Sequence, residues 1–195
     1  MKPRIGFDID GVLANFAYAF TKLGSDILRL PIYSNHALVD KYDFGYARGD
    51  HEILWGHIRE HPEFWKGIPP LATSEEFERI ELLCHACEVY FVTSRPGGAA
   101  VDSISVEWLE SYLGKDAPFT LISCGSTPAK KIVLKNLCPR WHIDDHPDLV
   151  GYPDVLTIAY PYNFTGPDFD SRYVPNLSTY LGLVENLVGR AEEAR

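Results

Sequence analysis

The first apolar run of the chain ends in two aspartates, spaced two apart, and a glycine: Ile5-Gly6-Phe7-Asp8-Ile9-Asp10-Gly11. Side chains two apart on a strand share a face, so the pattern sets two carboxylates side by side at a strand's end. Two close carboxylates repel, and a buried site does not hold both ionised unaided. A cation between them, or two different protonation roles, resolves the conflict. Gly11 then lets the chain turn sharply and approach a ligand without a Cβ.

Beyond this run, apolar strands and amphipathic helices alternate. Arg4–Asp10 reads as a buried strand, and Phe16, Phe20, Leu23, Ile27 and Leu30 follow at helical spacing until Pro31. Residues 31–70 change character: Tyr33, Tyr42, Phe44, Tyr46, Trp55, Phe64 and Trp65 crowd into them, with a short helix expected at Glu52–Glu60. A loop that long is not structureless in a compact domain, so residues 15–70 read as a small helical cap. Residues 1–14 and 71–195 then form the core domain.

In the core, Thr73 and Glu76 have the spacing of a capping box, opening a helix that runs through Phe77, Ile80, Leu83, Cys84 and Cys87. Strands follow at Val89–Thr93, Phe119–Ser123, Trp141–Asp145 and Val155–Ala159. Helices are expected at Asp102–Leu113, stopping at Gly114, at Pro128–Leu137, and from about Ser178 onward. Gly151–Arg172, rich in Pro, Gly and Tyr, reads as a loop over one edge. The alternation predicts an α/β fold: a Rossmann-like parallel sheet with helices on both faces, plus the cap after the first strand.

The formal net charge of −9 disfavours a nucleic-acid polymer as partner, because such proteins need a basic face. A small phosphorylated substrate is compatible with it, provided the site is locally positive. The four cysteines, Cys84, Cys87, Cys124 and Cys138, are too few for a disulfide scaffold in 195 residues. Residues 1–4 lead directly into the first strand, leaving no room for a signal peptide, and no run is long enough to span a bilayer. The expected compartment is the reducing cytoplasm.

Polar residues gather at the carboxyl ends of three expected strands: Asp8 and Asp10, then Thr93-Ser94-Arg95, then Asp144-Asp145. Ligands bind outside these ends in open α/β sheets. If the strands are neighbours, four carboxylates and two hydroxyls converge. Carboxylate oxygens suit a hard cation, and Mg²⁺ fits a site that also takes phosphate. Lys130 and Lys131, on the helix before the last of these strands, offer positive charge.

Taken in order, these motifs resemble the haloacid dehalogenase-like (HAD) phosphohydrolase superfamily over roughly residues 4–160. Asp8-Ile9-Asp10-Gly11-Val12-Leu13-Ala14-Asn15-Phe16 looks most like its 5′(3′)-deoxyribonucleotidase branch, which also carries a small helical cap after the first motif. The resemblance implies a Mg²⁺-dependent phosphomonoester hydrolase, a 5′-nucleotidase on (deoxy)nucleoside monophosphates. Asp8 would attack phosphorus and form an aspartyl-phosphate. Asp10 would protonate the leaving oxygen and then activate water. Thr93 would bond a phosphoryl oxygen, and Lys131 would offset charge. The metal ligands implied are Asp8, the Asp10 carbonyl and Asp145, with Asp144 supporting Asp145 or holding the lysine.

Several residues admit two readings. Lys131 matches the family spacing better than Lys130, yet adjacent helical positions point in different directions. Phe16 sits where the family places an aromatic against a base, and it equally fits its helix's apolar stripe. Trp65 reads as a pocket residue and Phe64 as packing. Ser94 and Lys130 are expected to bind substrate, and Arg95 either reaches phosphate or another substrate group or pairs with surface acids. Cys84-His85-Ala86-Cys87 lacks the second pair of a zinc ribbon, and His57 and His61 lack the glutamate of a metalloprotease motif. The competing functions are a phosphatase of phosphosugars or other metabolites, phosphoryl transfer to another acceptor, and a non-catalytic binding protein of the same fold.

Overall fold

The computed structural model describes residues 2–32, 44–146, 149, 155–158 and 173–193. Tyr33 and Tyr42, and the expected loop Gly151–Arg172 apart from 155–158, lie outside them. Six parallel strands form one sheet: β1 (Arg4–Phe7), β2 (Glu88–Thr93), β3 (Phe119–Ser123), β4 (Trp141–Asp144), β5 (Val155–Ile158) and β6 (Tyr173–Val174). Their order is β3-β2-β1-β4-β5-β6. The chain moves outward from β1 to β3 and then crosses to β4 on the other side of β1. That reversal opens a crevice at the carboxyl ends of β1, β2 and β4.

The helices are α1 (Phe16–Leu28), α2 (Arg48–Glu60), α3 (Ser74–Ala86), α4 (Ala99–Leu113), α5 (Thr127–Leu137) and α6 (Leu177–Glu193), with a 3-10 turn at Pro62–Gly67; α3, α4, α5 and α6 pack on the sheet. Strand alternation separates two apolar clusters. Phe91 joins the larger one, beneath α3, α4 and α6, where Phe7 meets Phe91 and the edge of Tyr180. Its neighbour Val92 faces the other way, onto Leu134 of α5. Helices therefore cover both faces. Thr73 accepts from the Glu76 amide and Glu76 accepts from the Thr73 amide, so the expected capping box starts α3. No helix among the described residues is long and apolar enough to cross a membrane.

The first strand is shorter than its apolar pattern suggests. It ends at Phe7, and the carbonyl of Ile9 gathers the amides of Leu13 and Ala14 in a tight loop. Gly11 sits in that loop at φ 81°, a backbone conformation that favours glycine. Asp10 thus reaches the crevice by a turn rather than by strand alternation. The two-residue β6 was not legible at all, because so short a strand carries no periodicity.

Between β1 and α3 the chain leaves and returns side by side. Asn15 N donates to Pro69 O at 2.8 Å and Leu71 N to Leu13 O at 2.7 Å. Within the excursion, α1, α2 and the 3-10 turn pack on one another. Phe16 stacks on both Trp55 and Trp65, and Phe20 stacks on Phe44. Leu54 and Ile58, fully buried on α2, each stabilise this packing by about 1.5–3 kcal/mol. The 3-10 turn rests on α4, where Trp108 Nε1 donates to Ile68 O at 2.8 Å.

Candidate active site

Register explains how the acidic tips meet. Gly6 pairs with His142 and Phe7 with Ile143 along β1 and β4, so Asp8 and Asp144 emerge next to each other. Asp8 N donates to Ile143 O at 2.9 Å, which extends the pairing one residue further. Asp145 follows immediately. Carboxylate oxygens of Asp8, Asp144 and Asp145 lie within 4.8 Å of one another, and all three residues are buried.

A lysine from α5 joins them. Lys130 Nζ lies 2.7 Å from Asp8 Oδ1 and 2.6 Å from Asp144 Oδ2. Lys131, which the spacing favoured, is the wrong residue for this position. It is one step, about 100°, further round α5 and only partly buried, whereas Lys130 is 1% exposed and faces the sheet. Asp144 is held further by His142 Nε2 at 2.9 Å and by the amide of His146 at 3.0 Å.

The electrostatics follow from burial and pairing. Burial pushes the Asp8 carboxyl well above the usual range, Asp144 and Asp145 push it further, and Lys130 opposes them. Burial acts the same way on Asp144, but Lys130 and the His142 bond outweigh it and hold that carboxyl at about 2. Lys130 is pulled down by burial, yet Asp144 and Asp8 together raise it above its ordinary value. Burial lowers His142, which keeps it neutral. Its Nε2 then carries the proton donated to Asp144. Three desolvated carboxylates converge here around Lys130. Oxygen-only donors in that state fit a hard divalent cation.

Thr93 ends β2 beside this group. Its hydroxyl accepts from the Arg95 amide at 3.2 Å and stands 3.5 Å from Asp10 Oδ2. Arg95 is not the free substrate-binding arm that one reading allowed. Its guanidinium grips Asp10 through Nε to Oδ2 and Nη2 to Oδ1, each at 2.8 Å, and donates through Nη1 to Ser105 Oγ at 3.0 Å.

A cavity of about 420 Å³ opens over these groups. Its floor includes Asp8, Asp10, Thr93, Lys130, Asp144 and Asp145, and Ser94 and Arg95 border it. Phe16, Trp55 and Trp65 line it as well, while Phe64 packs edge-on to Phe16 and Trp65. Trp55 and the start of α5, Ser126 and Thr127, were missed as pocket residues. Trp55 was visible in the sequence only as one aromatic among many. Cys84 and Cys87 line a separate hollow, and burial pushes their thiols up to about 12 and about 11. Among the described residues, the only three-residue group with metal-ligand geometry is Asp8, Asp144 and Asp145.

No protein-family model matches this sequence, and no curated protein matches it either. Solved structures do match in shape. A haloacid dehalogenase-like family hydrolase from Streptococcus pneumoniae superimposes with TM-score 0.58 at 13% identity, covering 94% of this chain and 98% of its own. A haloacid dehalogenase-like hydrolase from Burkholderia xenovorans gives 0.54 at 11% identity, over 93% and 96% of the two chains. A HAD-superfamily hydrolase of subfamily IA from Geobacter sulfurreducens gives 0.52 at 15% identity, over 94% and 100%. The chain carries the fold of the haloacid dehalogenase-like hydrolases.

Proposed function

We propose that the protein is a Mg²⁺-dependent phosphomonoester hydrolase that acts on (deoxy)nucleoside 5′-monophosphates. The observation that carries this reading is the contact of Lys130 with both Asp8 and Asp144 at the floor of an open pocket. A carboxylate nucleophile and a phosphate repel each other. A buried ammonium beside the nucleophile offsets that repulsion and stabilises charge on the transferring group.

Each residue then has a role. Asp8 attacks phosphorus, the bond to the leaving oxygen breaks, and an aspartyl-phosphate forms. Asp10 gives the leaving oxygen its proton and takes one from the water that later attacks phosphorus. Thr93 donates to a phosphoryl oxygen. Lys130, rather than Lys131, compensates charge, and Asp144 holds Lys130 in place. Asp8, Asp145 and the Asp10 carbonyl would hold Mg²⁺, with Asp144 supporting Asp145. When bound, the ion would neutralise part of the phosphate's charge and of the three carboxylates' charge.

Residues 15–70 act as the cap in this reading, and the cap chooses the substrate. Phe16, Trp55 and Trp65 line the pocket as an aromatic wall, which favours a flat base over a bare sugar. Stacking on such rings is worth roughly 1–3 kcal/mol per base. A panel of nucleoside monophosphates, sugar phosphates and p-nitrophenyl phosphate, assayed with Mg²⁺, tests the reading. Nucleotides should give the highest kcat/KM. A sugar phosphate well ahead of every nucleotide would overturn the substrate class, and no phosphate release from any member would overturn the activity.

A further inference from the structure

Arg95 is among the largest fully buried side chains of the described residues, and nothing in the proposed chemistry requires an arginine there. Burying a guanidinium is costly unless its donors are matched. They are matched unusually well. Two parallel bonds join it to both oxygens of Asp10, and a third reaches Ser105 on α4. The fork geometry of arginine fits a carboxylate in this two-point manner, and it fixes orientation as well as distance. The Arg95 backbone is pinned too: its amide donates to Thr93 Oγ1 at 3.2 Å, and its carbonyl accepts from Gly125 at 2.9 Å.

The other side of the guanidinium belongs to the excursion between β1 and α3. Arg95 Cζ lies 4.8 Å from the centroid of the Trp65 ring, which is itself 2% exposed. A cation over a desolvated indole is attracted by the ring's negative face. Trp65 in turn stacks on Phe16, which lines the pocket.

From this chain of contacts we infer that Arg95 is a positioning residue: it sets the orientation of the Asp10 carboxyl, and Trp65 sets the orientation of Arg95. The pocket's aromatic wall and its acid–base group are then one mechanical unit. This inference rests on the acid–base role of Asp10. A carboxyl that must deliver a proton to the leaving oxygen works only if aimed at it. Leaving groups that depart easily as anions need little such help, and poor ones need much. Loss of the clamp therefore costs most where the leaving group is poorest.

A series of substituted phenyl phosphates separates this from a purely structural role, since members differ in leaving-group acidity and little in shape. kcat/KM reports formation of the aspartyl-phosphate, whichever step limits turnover. In Arg95→Met, log kcat/KM should fall more steeply with leaving-group pKa, the poorest member losing about tenfold more than the best. Trp65→Leu should steepen it in the same direction by less, and Arg95→Lys, which keeps the charge but not the fork, should fall between parent and Arg95→Met. Parallel lines, lower but unsteepened, would overturn the inference, and so would an unchanged rate. If Arg95→Met does not fold, judged by circular dichroism, Arg95→Lys and Trp65→Leu decide the slope alone. A parent inactive on every phosphate would instead overturn the phosphatase reading itself, a result distinct from parallel lines.

Discussion

Gly6 on β1 and His142 on β4 are register partners, and the imidazole lies against the glycine so closely that a Cβ there would stand 2.4 Å from His142 Nδ1. The glycine is what admits a ring at this point in the sheet. The ring's other nitrogen then reaches Asp144 at 2.9 Å, and Asp144 holds Lys130 at 2.6 Å. A missing methyl group on one strand thus governs the placement of a charge on a helix.

Gly6→Ala tests that dependence. Alanine in a strand is ordinarily no worse than glycine, yet here it overpacks a buried ring and should destabilise by about 1–3 kcal/mol in denaturant unfolding. Combined with His142→Ala the penalty should shrink, giving a coupling that the two single changes do not sum to. Additive losses would show that the two residues do not meet.

The lysine assignment gives a sharp comparison. Lys130→Met should lower kcat by about 10²–10³, the range seen when one charge-stabilising donor is removed from a reaction centre. Lys131→Met should leave the rate near the parent's, since Lys131 is absent from the pocket lining. Equal losses would reverse the assignment.

Metal binding should show as stability. The cluster of Asp8, Asp144 and Asp145 is buried, with carboxylate oxygens within 4.8 Å of one another. Mg²⁺ at about a hundred times its Kd should raise Tm by roughly 5–10 °C for a domain of this size. Asp145→Asn should lose most of that rise. A Tm that ignores Mg²⁺ would remove the metal from the account.

Much of this is legible in the sequence. Val89–Thr93 and Phe119–Ser123 were readable because apolar strands bounded by turn residues have a clear pattern, and both strands fall where expected. The acidic tips were readable because strand ends collect ligand chemistry in this fold class. Lys130 was not readable, because neighbouring positions on α5 differ only in direction, and direction is set by how the helix docks on the sheet. The Arg95–Asp10 clamp joins residues 85 apart in the chain, and no local pattern encodes such a partner. Asp10 itself was placed by the right residues through the wrong geometry. A turn at Gly11, rather than strand alternation, carries it into the site.

In the proposed mechanism Asp8 becomes phosphorylated during turnover. The most direct measurement is to quench the Mg²⁺-loaded protein during hydrolysis of p-nitrophenyl phosphate, trap acyl phosphate by borohydride reduction, and locate the mark by peptide mass spectrometry. The mark should fall on Asp8, and Asp8→Asn should show neither mark nor hydrolysis. Hydrolysis at the parent's rate by Asp8→Asn, with Asp8 unmarked in the parent, would contradict the account.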